Sequence, residues 1–272
     1  VFELTKICKK YNLKLIFDSA QSPNAKYKNK FVGTMGDIGG YSLNYHKHIH
    51  TGEGGIIVTN NDEYAENIRL IRNHGEAVVD GFQKKNIANI IGHNFRMGEI
   101  EASIGIEQLK KLNSKTESRK YIAKKLDEGL KSIRGLKTPK VRESCDHVYY
   151  VYAMLIDESI TGVSKYIISD ALKAEGLTSI GTSYCNLHLL PMYQQKIAYG
   201  KNGFPWSSEN ARKNISYQYG ICPISEKMNE KSYLDFGICH YELNDYDIEN
   251  IIKSFKKVWD NLDEIKKNEN LK

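Results

Sequence analysis

The chain is 272 residues long and carries 39 Lys plus Arg against 33 Asp plus Glu, a formal charge of +6. Its 40% hydrophobic and 26% charged residues exclude a collagen, a coiled-coil rod and a disordered tail. A globular chain of this size buries about 75% of its unfolded surface, and its longest aliphatic runs, such as Ile56-Ile57-Val58, fall far short of the ~20 apolar residues that cross a bilayer.

Five scattered cysteines, Cys8, Cys145, Cys185, Cys222 and Cys239, form no CxxC pair, so no metal site and a reducing, cytoplasmic compartment are expected. The chain opens Val1-Phe2-Glu3 without an initiator Met and begins inside a helical pattern, which predicts a cut N-terminus. Residues 2–12 read as a helix feeding a buried strand, Leu13 to Asp18. A turn-rich stretch follows to Gly36, then two short strands, Ile38 to Asn44 and Gly55 to Thr59. Asn61-Asp62 predicts an N-cap for a helix carrying Ile68, Leu70 and Ile71 and stopped by Gly75. Two further helices are expected, Met97 to Leu112 and Thr116 to Ile133, the second closed by Gly135. This alternation predicts an α/β layer on a largely parallel sheet.

A second region is expected to begin with a strand from His147 to Ile156 and a helix presenting Val163, Ile167, Ile168, Ala171 and Leu172. The long loop from Cys185 to Trp206 suggests binding. A strand from Phe236 to His240 and a helix from Asp245 to Ile265 with one apolar stripe close the chain. Lysines crowd residues 110–140 and 253–272, but they alternate with acids and no recognition motif accompanies them, so no nucleic-acid partner is expected.

Four features in the first hundred residues form a set: Asp18-Ser19-Ala20-Gln21 after a strand, Gly36-Asp37-Ile38-Gly39-Gly40-Tyr41-Ser42, Lys47, and Gly52-Glu53-Gly54-Gly55. With Arg72-Asn73-His74-Gly75 and Asn94-Phe95-Arg96-Met97-Gly98-Glu99-Ile100, the chain resembles the sugar aminotransferases of the DegT/DnrJ/EryC1/StrS group, which depend on pyridoxal phosphate (PLP) and have the type I aminotransferase fold. Alone, Asp18 would be a turn residue, Lys47 a solvated lysine, Ser42 a strand residue and Asn94 a cap. Their order and spacing carry the resemblance.

Amine transfer needs a carbonyl cofactor held by a lysine that afterwards moves protons. Lys47 is the candidate. A carboxylate beside the pyridine nitrogen keeps that nitrogen protonated, and Asp18, at the carboxyl end of a strand, suits this. The resemblance places Ser42 on the cofactor phosphate, Gln21 against its ring or phenolic oxygen, and Asn94 on the same phosphate from a neighbouring subunit, which implies a homodimer with shared active sites. It also implies substrate contacts from Arg96 and from Tyr184 and His188, in a segment, Tyr184 to Tyr193, like the family's sugar-nucleotide loop except that Asn186 replaces a proline. Glu53 has no assigned role.

The resemblance further implies domains at 1–113, the later part of a PLP-binding large domain, and at 114–272, a linking helix with a small α+β domain. The family's earlier part, with a phosphate-binding loop and an aromatic that stacks on the ring, is not among these residues. The expected activity moves an amino group from an amino acid, glutamate by resemblance, to a nucleotide-linked keto-deoxysugar for surface polysaccharide or related amino sugars. Alternatives are the family's dehydratase branch, where histidine replaces the lysine, and a non-catalytic cofactor-binding regulator. His46, His48 and His50 alternate as zinc ligands on a strand would, but lack a Cys or Asp nearby. Gly33-Thr34-Met35-Gly36 lacks the Gly-Lys-Ser/Thr ending of a nucleotide loop.

Overall fold

A computed structural model describes residues 1–76, 90–238 and 241–269, and the chain divides into two compact units. The first comprises Val1–Ala123, Lys140–Tyr150 and Ile238–Glu242; the second comprises Lys124–Pro139, Val151–Gly237 and Leu243–Lys272. The units interleave along the chain, so one cut between 113 and 114 does not separate them.

In the first unit, helix α1 (Phe2–Lys10) precedes strand β1 (Ile16–Asp18). β1 pairs in parallel with β4 (Ile38–Ser42), and β4 pairs antiparallel with β5 (Gly55–Val58). The region between Asp18 and Gly36, expected as turns alone, holds two short strands, β2 (Lys26–Tyr27) and β3 (Lys30–Phe31). They join β7 (Cys145–Asp146) in a second small antiparallel sheet. Asn61 caps helix α2 (Asp62–Arg72) by accepting the Tyr64 N–H, and α2 buries Leu70.

One helix, α3 (Glu99–Leu130), replaces the two that were expected. Asn113, Ser114 and Thr116 read as a break because such side chains compete with the helix for backbone hydrogen bonds. Here the competition is resolved within the helix. Ser114 Oγ donates to the Lys111 carbonyl and Thr116 Oγ1 to the Leu112 and Asn113 carbonyls, while Asn24 donates to both Asn113 and Thr116.

In the second unit, β6 (Leu136–Lys137), β8 (Tyr152–Ile156), β10 (Tyr233–Phe236) and β9 (Ile180–Gly181) form an antiparallel sheet in the order β6-β8-β10-β9. The strand expected from His147 starts only at Tyr152, because Tyr149 adopts φ +49°, a left-handed backbone that ends strand pairing. The strand expected over Phe236–His240 lies earlier, as β10; residues 239 and 240 fall outside the described residues. Short helix α4 (Glu158–Thr161) leads to α5 (Lys165–Ala174), capped by Ser164, and the loop after β9 carries α6 (Pro191–Gln195) and α7 (Pro223–Lys227).

Helix α8 (Asp245–Asp260) opens with a capping box between Asn244 and Asp247 and buries Ile248, Ile251, Phe255 and Val258. It breaks at Asn261, and α9 (Leu262–Glu269) continues in place of one uninterrupted helix. Tyr152, Met154, Leu234, Ile168 and Leu172 form the centre of this core. Among the described residues no helix is long and apolar enough to cross a membrane.

Candidate active site

The carboxyl ends of β1 and β4 lie side by side because the two strands are parallel. Register pairs Asp18 with Gly40, and side chains alternate along a strand, so Asp18, Gly40 and Ser42 share one face. The two neighbouring glycines show what each face is for. A Cβ on Gly39 would collide with the Gly33 carbonyl, whereas a Cβ on Gly40 would find nothing within 4 Å among the described residues. The buried face is packed to the backbone, and the face carrying Asp18 and Ser42 is open.

Asp18 is exposed, and its Oδ1 accepts the Ala20 N–H at 3.1 Å. Ser42 Oγ accepts the Asn44 N–H at 3.2 Å, which leaves its hydroxyl hydrogen free of that bond. Gln21 is exposed in the turn after Asp18. A carboxylate, a hydroxyl and an unfilled surface over a glycine suit a flat cationic ring with an anionic arm, so the residues present fit PLP.

Beyond Ser42 the chain turns back on itself. Lys47 N–H donates to the Asn44 carbonyl at 3.0 Å, and Asn44 Nδ2 donates to Glu53 Oε1 at 2.6 Å. Glu53 therefore ties the end of this loop to its beginning. The Leu43 N–H donates to the Gly54 carbonyl, and the Thr51 N–H donates to the Leu43 carbonyl. Lys47 Nζ lies 4.7 Å from the centre of the Tyr150 ring, within cation–π range. Tyr150 carried no signal in the sequence, since its approach depends on a contact a hundred residues away.

That contact runs through His48, which is 2% exposed and whose Nε2 lies 2.7 Å from the Val148 carbonyl oxygen. A carbonyl only accepts, so Nε2 carries the hydrogen in the neutral ring, and Nδ1 is left buried without a partner among the described residues. Burial pushes the His48 pKa from its ordinary 6.5 down to about 4; the bond to Val148 opposes this, and the charges of Arg119, His147 and Lys47 add to it. With His48 occupied in this way, Lys47 supplies the amine of the turn. Among the described residues no three His, Cys, Asp or Glu side chains are placed to hold a metal ion.

Two sequence-distant motifs meet at the end of α2. The Phe95 N–H donates to the Arg72 carbonyl, the His74 N–H to the His93 carbonyl, and Asn94 bridges Asn73. Arg96 Nη1 donates to Asn73 Oδ1. Asn94 and Arg96 are both exposed on this strapped segment. The Met97 methyl stands at the Gly54 turn, 3.0 Å from where a Cβ on that glycine would sit.

In the second unit, Tyr184 is 81% exposed, while its N–H donates to Asn229 Oδ1 at 3.1 Å. His188 Nε2 lies 2.7 Å from Oε1 of Glu226, a buried residue whose carboxylate also accepts the Gly220 and Cys222 N–H groups. Burial opposes the charge of Glu226, but the bonds from His188, Gly220 and Cys222 together hold its pKa below the ordinary value. Glu226 and Asn229 escape sequence reading because they lie about forty residues from the groups they hold.

The family model described as the DegT/DnrJ/EryC1/StrS aminotransferase family matches residues 1–232. An uncharacterized protein of Methanocaldococcus jannaschii is 34% identical over 242 residues, covering 86% of this chain and 60% of its own length. The GDP-perosamine synthase of Caulobacter vibrioides is 30% identical over 191 residues, covering 70% of this chain and 50% of its own. Among solved structures, Helicobacter pylori PseC, an aminotransferase involved in the biosynthesis of pseudoaminic acid, superposes with a TM-score of 0.73 at 25% identity, covering 94% of this chain and 62% of its own. The chain thus spans 50–60% of the length of these curated relatives.

Proposed function

Since the chain belongs to the DegT/DnrJ/EryC1/StrS aminotransferase family, whose enzymes depend on PLP, we propose that it carries the lysine half of a sugar aminotransferase site. The donor is an amino acid, glutamate in this reading, and the acceptor is a keto group on a nucleotide-linked deoxysugar destined for surface polysaccharide or related amino sugars. The observation that carries the reading is the open face between Asp18 and Ser42, followed five residues later by Lys47. Relatives named for perosamine and pseudoaminic acid chemistry support the substrate class.

Bound here, PLP supplies an electron sink for the carbon that loses or gains the amine. Asp18 would hold the proton of the ring nitrogen by opposite charge. The Ser42 hydroxyl would hold the phosphate, and Gln21 would hold the ring. Lys47 Nζ would hold the cofactor and would carry protons away from the donor's α-carbon and to the acceptor carbon. In this reading Asn94 would hold the phosphate from a second chain, and the working unit would be a homodimer in the cytoplasm. Arg96, Tyr184 and His188 contact the substrate.

The test is the near-ultraviolet and visible spectrum with added PLP, before and after glutamate, alongside Lys47→Ala. A band that shifts with glutamate and is lost in the variant is expected. The absence of a Lys47-dependent band in a protein that binds PLP would overturn the reading.

A further inference from the structure

Lys165 is 0% exposed, a burial that lysine almost never shows unpaired. Its Nζ donates to the Thr182 and Asn229 carbonyls, each at 2.5 Å, and stands over the Tyr166 ring at 4.9 Å from its centre. Burying an ammonium carries a desolvation cost that an apolar residue of similar volume would avoid. Stability alone is therefore a poor reason for a lysine at this position.

The two carbonyls it joins belong to the segments that matter for substrate. From Asn229, Oδ1 accepts the Tyr184 N–H and Nδ2 donates to Asn186 Oδ1 at 2.8 Å, where Ser225 Oγ also donates at 2.9 Å. His188 is held by Glu226, one turn before Asn229. Every second residue from Thr182 to His188 is thus tied to residues 165 or 225–229, by a carbonyl, an amide, a side-chain amide and a ring in turn. The Tyr184 side chain, 81% exposed, stands on a backbone that this network pins.

We propose that Lys165 is a positioning residue for the acceptor substrate: by clamping the carbonyls of Thr182 and Asn229 it fixes residues 182–188 against residues 226–229, where the Asn229 amide holds the Tyr184 backbone and Glu226 holds the His188 ring for the nucleotide sugar. The specificity part rests on the function proposed above; the bracing part does not. No atom of Lys165 meets solvent, so it acts through Asn229 and not on the ligand.

The experiment compares Lys165→Met and Asn229→Ala with the parent protein in two readouts. Asn229→Ala keeps the backbone carbonyl that Lys165 binds and removes only the relay, so it stays informative if Lys165→Met folds poorly. Amide hydrogen exchange over residues 183–190 is expected to quicken by about tenfold or more in each variant, with β8 and β10 unchanged. KM for a nucleotide-linked ketosugar is expected to rise by about tenfold, while the rate of the spectral change driven by glutamate alone holds. The double variant should be no worse than the worse single, because the two residues act in one chain of contacts.

Unchanged exchange at 183–190 would overturn the brace. Exchange that rises equally in β8 and β10, or equal losses with glutamate and with the sugar, would make Lys165 a general structural residue and overturn its positioning role. If the parent shows no Lys47-dependent spectral response, the proposed function fails, and the exchange data alone decide the brace.

Discussion

The two units hold their candidate functional groups by different means. Around Lys47 the backbone does most of the positioning: parallel register sets Asp18 beside Gly40, and the Leu43, Lys47 and Thr51 amides fold the turn on itself. Around Tyr184 and His188 backbone pairing is sparse, and side chains, the buried Lys165 and Glu226 and the half-buried Asn229, take its place. A site built from register tolerates a change of side-chain chemistry without losing its shape. A site built from side chains loses both together, and charge removed from the two should therefore have opposite consequences for structure.

The largest expected effect tests the first half of that contrast. Asp18→Asn keeps an oxygen for the Ala20 N–H and removes the charge. The glutamate-driven spectral change should slow by about 10²–10³-fold, as when one preorganised electrostatic group is lost. The melting temperature should stay where it was. A fall in both would mean that Asp18 holds the strand end together, and the contrast would break.

His48 is the exception in the first unit, a buried side chain fastening the lysine turn to Val148. Its folded pKa of about 4 lies below its ordinary 6.5, so between these values the unfolded chain binds a proton that the folded chain does not. Stability from this group is complete above pH ~6.5 and is lost as pH falls toward 4, by about 3 kcal/mol in all. His48→Gln keeps an N–H for the Val148 carbonyl and cannot be protonated. Its urea midpoints between pH 7 and pH 4 should fall less steeply than those of the parent; parallel slopes would show that His48 already titrates near its ordinary value.

What could be read in advance follows the same division. The end of β1 at Asp18, the spacing from Ser42 to Lys47 and the Asn61 cap are local patterns, and they stand in the structure close to where strand and cap signals put them. The continuity of α3 through Asn113 and Thr116 was hidden because it depends on Asn24, ninety residues upstream. Tyr150 under Lys47 and the ties from Lys165 and Asn229 were hidden for the same reason: a contact between distant segments leaves no period in either. The late start of β8 was hidden by Tyr149, whose aromatic side chain suits a strand while its backbone is left-handed.

The smallest effect separates shape from chemistry within a single strand. Gly39 and Gly40 are adjacent in β4 and face opposite ways. Gly39→Ala drives a Cβ against the Gly33 carbonyl, a backbone atom that cannot rotate aside, so β4 must shift at a cost of about 1–3 kcal/mol in stability. Gly40→Ala places the same methyl in open space and should leave stability within about 0.5 kcal/mol. That methyl stands on the face of Asp18 and Ser42, so Kd for PLP should rise by about tenfold. Measuring both variants by urea unfolding and by PLP titration settles which face of β4 the cofactor uses: weaker PLP binding in Gly40→Ala at unchanged stability places it over Gly40, and tight binding there with weak binding only in Gly39→Ala would move the site off this face.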